Sequence, residues 1–194
     1  MKAYIWSKLL WDSSLNVDTL QQNFLKAYFG DAAYSSVKTF VGLYDNNFGS
    51  AATESKGYPI CSGYSYFCHK DVYEQSTVHS KAIDAANAAL AAIAADSSLS
   101  EAQKAVYTKR ANALLATVYG SVIGNWSGYE KWHDAILGSD RFDNFETYFG
   151  ATVAECQAKL TAALDAAGIT KTSEYNMSVS EWLDFITNRY NTAG

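Results

Sequence analysis

The sequence predicts an all-α chain: a helical bundle built on a long antiparallel helical hairpin, with one long ordered loop. Three observations carry this expectation. Apolar residues recur with the 3.6-residue period of helices along most of the 194 residues, Pro59 is the single proline, and residues 71–123 form an alanine-dense stretch broken by one polar turn. No segment alternates apolar and polar side chains for more than a few positions, as a half-buried strand would. At this length the chain can bury roughly 70% of its unfolded surface, which is enough for a core of its own.

The first element spans Lys2 to Trp11 and reads Lys-Ala-Tyr-Ile-Trp-Ser-Lys-Leu-Leu-Trp. A helix apolar almost all round is normally covered by other protein. It opens at Met1 with no capping residue, so the expectation is a C-terminal fragment of a larger chain whose other part packs here. Tyr4, Trp6 and Trp11 would then face that missing domain, or a dimer partner.

A polar turn at residues 12–16 leads to a second helix starting near Val17, with Val17, Leu20, Phe24, Ala27 and Tyr28 on its apolar face. Gly30 is expected to close it in the left-handed conformation. Asp31 is expected to cap a third helix, whose stripe is Tyr34, Val37, Val41, Tyr44 and Phe48 until Gly49 stops it. Residues 1–49 thus form three short helices.

Residues 50–70 lack a helical period and are rich in tyrosine. A structureless connection of that length in a compact domain is commonly functional, and its aromatics argue for order, so it is read as a surface excursion suited to a ligand or partner.

The hairpin follows. Val78, Ala82, Ala86, Ala89 and Ile93 line one side of a helix over residues 71–95, and Ser100 with Gln103 is a capping box opening a second helix to about Ile123. Its length is about 35 Å at 1.5 Å per residue. Over residues 124–194 three more capping boxes, Ser127 with Glu130, Thr152 with Glu155 and Ser178 with Glu181, predict helices at 128–137, 153–167 and 179–190. A shorter helix is expected within 140–149, and a polar crossover over 169–177. All of this is read as a single α-helical domain, residues 1–194.

Net charge is −5 and the fifteen lysines and arginines are scattered without a basic stripe, so neither nucleic acid nor anionic membrane is an expected partner. No apolar run reaches the ~18 residues of a membrane span, and Met1 does not open a signal peptide. Three cysteines make no disulfide framework. Cys61 and Cys68 are close enough to bridge within the long loop or to remain thiols, and Cys156, among apolar helical positions, is expected to be a buried thiol.

Chemistry-bearing constellations are sparse. His69, His79 and His133 lie far apart, and Cys61, Cys68 and His69 match no zinc spacing and lack a fourth ligand, so no metal and no cofactor are expected. No phosphate loop or nucleophile elbow is present. Glu54, Asp71, Glu74, Glu130 and Asp134 stand near aromatics, but spacing alone sets no two of them across a cleft, so no catalytic residue is assigned. Tyr58, Tyr64, Tyr66 and His69 in the long loop, and Trp126 beyond the hairpin, are the candidate substrate-binding residues, since flat rings with polar edges suit sugars. The alternative is that these rings plug the ends of the bundle.

The opening stretch also carries a family resemblance. Lys2 to Asp12, then Asn16-Val-Asp, then Phe24-Leu-Lys-Ala-Tyr-Phe-Gly-Asp-Ala-Ala, resembles the C-terminal part of bacterial proteins grouped as domain of unknown function 4838. There a lysine-leucine-leucine-tryptophan helix leads through Asp-Val-Asp to Tyr-Tyr-Gly and Ala-Ala. The likeness is good over about fifty residues, loose through the hairpin with its Arg110 helix, and ends near Trp126. It implies a glycoside-hydrolase-like protein in which a catalytic TIM-type barrel lies upstream of a helical accessory region, acting on carbohydrate outside the cell or at its surface. The barrel's acidic residues are not in this chain, so none is carried over. Two other readings stay open at this point: a stand-alone helical module binding glycan or protein, and an independent cytosolic helical protein without a glycan role.

Overall fold

The computed structural model describes residues 1–54, 76–137, 150–171 and 177–184, with side chains described over 1–44, 79–122, 150–171 and 177–184. The architecture is all-α. The helices are α1 (Lys2–Trp11), α2 (Val17–Phe29), α3 (Tyr34–Glu54), α4 (Ser76–Ala95), α5 (Glu101–Leu137) and α6 (Val153–Ala167), with further helical residues at 179–184. Among the described residues the sole extended pairing is an isolated antiparallel bridge between Lys171 and Ser178.

The α4–α5 hairpin is the scaffold. Ala82, Ala86, Ala89 and Ile93 are fully buried along α4, facing Ala111, Ala116 and Val118 of α5. Side chains this small let two helices approach closely, and dense contact then replaces bulk as the source of cohesion. The turn between them is fixed by its own polar groups. Asp96 accepts the Ser98 N–H and Oγ–H at 2.9 and 2.6 Å, which holds its carboxyl below the usual range. Ser100 N–H donates to Gln103 Oε1 at 3.0 Å and Gln103 N–H donates back to Ser100 Oγ at 3.3 Å, a capping box as expected.

Two apolar clusters flank the hairpin. One joins Phe40 of α3 to Leu160 and Leu164 of α6 across Val118 and Val122. The other joins Leu25 and Phe29 of α2 to Val37 of α3 and Ile93 of α4. The α6 capping box holds as predicted, with Thr152 and Glu155 bonding reciprocally, and Gly168 ends the helix in the left-handed conformation. Ser178 and Glu181 likewise cap the helical residues at 179–184, where Trp182 seats over Gly120: a Cβ there would come within 3.2 Å of the ring. Cys156 is buried, and that burial pushes its thiol upward.

Several boundaries differ from the sequence reading. α3 does not stop at Gly49 but continues to Glu54, because one glycine costs a helix only about 1 kcal/mol and Ser50-Ala51-Ala52 tolerates continuation. The expected loop at 50–70 therefore begins inside a helix, and residues 55–75 lie outside the described residues. α5 does not end near Ile123 but runs unbroken to Leu137. Ser127 and Glu130 are consequently interior residues, since the same three-residue spacing also occurs within a continuous helix and no proline or polar turn precedes it. The expected short helix at 140–149 and the end of the last helix near Tyr190 fall essentially outside the described residues.

The buried face of α2 is also turned from the predicted one. Leu20, Leu25 and Phe29 are buried, while Val17, Ala27 and Tyr28 are exposed. Gly30 has the expected positive φ of 90° but an extended ψ of 154°, and its missing Cβ makes room for the Tyr107 ring, which a Cβ would meet at 3.1 Å. Asp31 stands one turn ahead of α3, with its carboxylate 3.3 Å from Lys26.

Two expected outcomes follow from this core. Replacing Leu160, fully buried between α5 and α6, with alanine lowers stability by about 3 kcal/mol, read as a shift of the urea midpoint at unchanged slope. The second concerns His79, which is 1% exposed with its ring 6.5 Å from that of Tyr44. Burial pushes its pKa from 6.5 down to about 4, so the folded chain keeps it neutral while the unfolded chain protonates first. Its contribution to stability is therefore constant above pH 6.5 and falls by about 3 kcal/mol as pH drops from 6.5 to about 4. Urea titrations of the wild type and His79→Leu across that window check it: a variant with the same pH slope as the wild type would rule the histidine out.

Candidate functional site

α1 is apolar in composition, yet none of its residues is buried. The reason lies in its two faces. Met1, Tyr4, Ile5 and Leu9 are half-buried on the side turned to α2. From there an aromatic ladder runs inward: Tyr4 to Phe24 with centroids 5.6 Å apart, Phe24 stacked on Tyr28 at 5.3 Å, and Tyr28 edge-on to Phe29 at 5.0 Å. Arg110 of α5 closes the ladder, its guanidinium carbon 4.1 Å over the Tyr28 ring and its Nη1 donating to the Tyr28 carbonyl at 2.7 Å. That bond satisfies a carbonyl at the end of α2 while the planar cation covers the ring. Tyr28 is drawn to the surface by Arg110, which is why the apolar face of α2 is turned from the predicted one.

The opposite face of α1 carries Ala3, Trp6, Ser7 and Leu10, the i, i+3, i+4, i+7 set of one helical stripe, and all four are exposed. Trp6 is 67% exposed, Leu10 81% and Trp11 93%, and the exposed surface continues through Leu15 and Val17 past the turn. Grouped exposed tryptophans make this the candidate interaction surface among the described residues, whereas single scattered apolar residues call for no explanation. Of the three residues expected at an interface, Trp6 and Trp11 face solvent and Tyr4 is turned inward to Phe24. The turn after α1 is tied by its own polar groups: Asp12 Oδ1 accepts the Ser14 N–H and Oγ–H at 3.0 and 2.6 Å, which holds the Asp12 carboxyl below its usual range. Asn16 then caps α2 by accepting the Thr19 N–H at 2.9 Å.

α2 and α3 border an open groove of about 290 Å³ lined by Asp18, Gln21, Gln22, Tyr34 and Lys38, among others. Lys26 and Lys38 flank the Tyr34 ring, with Nζ 5.3 and 6.0 Å from its centroid. Neither this groove nor the Tyr28–Arg110 stack was anticipated from sequence, because each joins residues of different helices at no characteristic spacing.

The remaining sequence candidates are placed less fully. Tyr58, Tyr64, Tyr66, His69, Cys61 and Cys68 lie outside the described residues. Trp126 lies within α5, rather than in a turn after the hairpin, and its side chain is outside the described set. Among the described residues no group of three or more His, Cys, Asp or Glu could hold a metal ion, and no helix is long and apolar enough to cross a membrane.

Comparison with known proteins adds one finding. The model of a family described as a domain of unknown function (DUF4838) matches residues 1–42, the stretch that forms α1, α2 and the start of α3. No curated protein and no solved structure gives a match. The matched stretch therefore contains the exposed tryptophans and most of the aromatic ladder, but none of the α4–α5 hairpin.

Proposed function

We propose that the chain is a non-catalytic helical accessory domain of a glycan-degrading bacterial protein, secreted or at the cell surface, whose chemistry is done by a TIM-type barrel. The observation that carries this reading is the exposed stripe of α1: a domain with a packed core of its own that still presents Trp6, Leu10 and Trp11 is built to hold another protein surface. The match of residues 1–42 supports the reading only as far as the domain of unknown function itself; the barrel and the glycan are what the resemblance of the opening residues implies. In this reading the helical body stabilises the barrel, and Tyr58, Tyr64, Tyr66 and His69, with Trp126, contribute aromatic surface to its carbohydrate cleft.

The test is a hydrolysis screen against chromogenic glycosides and polysaccharides, run in parallel on this chain and on a form carrying the barrel. No turnover by the chain alone, with turnover by the barrel-bearing form, is the expected result. A further expectation is that Tyr64→Ala and Tyr66→Ala raise KM several-fold in the barrel-bearing form while kcat changes little, as loss of uniform binding requires. Hydrolysis by this chain alone would sink the reading and send attention to its own carboxylates.

A further inference from the structure

We propose that the groove between α2 and α3 is a carbohydrate subsite that holds a neutral sugar ring. Asp18, Gln21 and Gln22 stand on its α2 wall, and Tyr34 and Lys38 on its α3 wall, around about 290 Å³ of open space. Several acids elsewhere on the described surface are tied to near neighbours: Asp12 to Ser14, Asp96 to Ser98, Glu155 to Thr152 and Glu181 to Ser178. The side chains of Asp18, Gln21 and Gln22, by contrast, make no hydrogen bond or ion pair with any described residue. Nor do Asp18 and Lys38 pair with each other, although they line one groove and carry opposite charges. The polar lining is thus uncommitted and converges on one concave space.

The chemistry of that lining selects the ligand. The Asp18 carboxylate accepts hydrogen bonds, the Lys38 ammonium donates them, and each glutamine amide and the Tyr34 hydroxyl can do both. A sugar hydroxyl also donates and accepts at once, so a polyol can engage every one of these groups. An anion would meet Asp18 and a cation would meet Lys38. Leu25 and the Tyr34 ring add the apolar lining that the C–H groups of a sugar need. Tyr34 is set before any ligand arrives: it is half-buried, with Lys26 Nζ and Lys38 Nζ 5.3 and 6.0 Å from its ring centroid. The volume is at the lower limit of small-molecule sites, roughly 300 Å³, which restricts the occupant to one or two rings. Asp18, Gln22 and Lys38 are exposed and must be ordered on binding, so the affinity is millimolar. The site needs neither a barrel nor the Tyr58 to His69 segment, and so goes beyond the accessory role proposed above.

Titration of the chain with glucose, galactose, N-acetylglucosamine and cellobiose through the millimolar range, followed by the side-chain amide NMR signals of Gln21 and Gln22, tests it. At least one of these sugars is expected to shift both signals saturably, and inorganic phosphate is expected to leave them in place. Gln22→Ala and Lys38→Met are each expected to raise the Kd for that sugar about fivefold, read from Gln21, with helical content unchanged because both residues are solvent-exposed. Signals that none of the sugars moves, that phosphate moves as readily, or a Kd indifferent to both substitutions overturns the proposal. Its failure leaves the accessory-domain reading to the hydrolysis screen. Turnover by the chain alone sinks that reading, and the saturable shifts would still support the subsite.

Discussion

The close approach of α4 to α5 along their alanine seam is the constraint on which the rest of the fold depends. Ala82, Ala86 and Ala89 contribute little apolar area singly, so the hairpin gains its cohesion from proximity and not from side-chain volume. That leaves the bulk of the core to residues where a third helix arrives: Val37 and Phe40 from α3, Leu25 and Phe29 from α2, Leu160 and Leu164 from α6. α5 is the shared wall: α2, α3 and α4 meet it in the second cluster, and α3, α4 and α6 meet it in the first. α1 lies at the periphery of this arrangement and packs chiefly on α2.

The features legible in the sequence are those written at a fixed spacing. The stripe Ala82, Ala86, Ala89, Ile93 and the capping boxes at Ser100, Thr152 and Ser178 each place partners three or four residues apart, and local geometry then decides. The box at Ser127 shows the limit of that logic. Its residues have the right spacing, but a cap needs the helix before it to have ended, and nothing in Val122-Ile123-Gly124-Asn125-Trp126 ends one. Gly49 misleads in the same way: a glycine terminates a helix when the chain beyond it turns elsewhere, and otherwise only weakens it.

What was not legible depends on pairs remote in sequence. Tyr28 and Leu25 compete for the inner face of α2, and composition favours neither. The guanidinium of Arg110, 82 residues away, settles the competition by covering the tyrosine ring at the surface, leaving Leu25 and Phe29 to the core. His79 is similar. It sits one helical turn before Ala82 and is buried, with the ring of Tyr44 from α3 6.5 Å away, a neighbour 35 residues distant that no local spacing announces. The exposed tryptophans were legible for the opposite reason: α1 holds more apolar residues than one buried face can take, so some had to remain outside whatever the helix packs on.

An isolated ten-residue helix is unstable in water, because nucleation is costly and few hydrogen bonds repay it. α1 nevertheless forms with no buried residue and no side-chain cap at Met1, held by one half-buried face against α2. The Tyr4–Phe24–Tyr28 ladder supplies this hold and passes it to α5 through Arg110, so the helix is fixed in orientation although its own burial is slight. A helix fixed from behind presents its outer stripe at little further entropic cost, and a partner then gains the desolvation of Trp6, Leu10 and Trp11 nearly undiminished. The same ladder that leaves α1 weakly buried therefore holds its exposed face in place for the protein surface proposed above, which would stabilise α1 in turn by mass action.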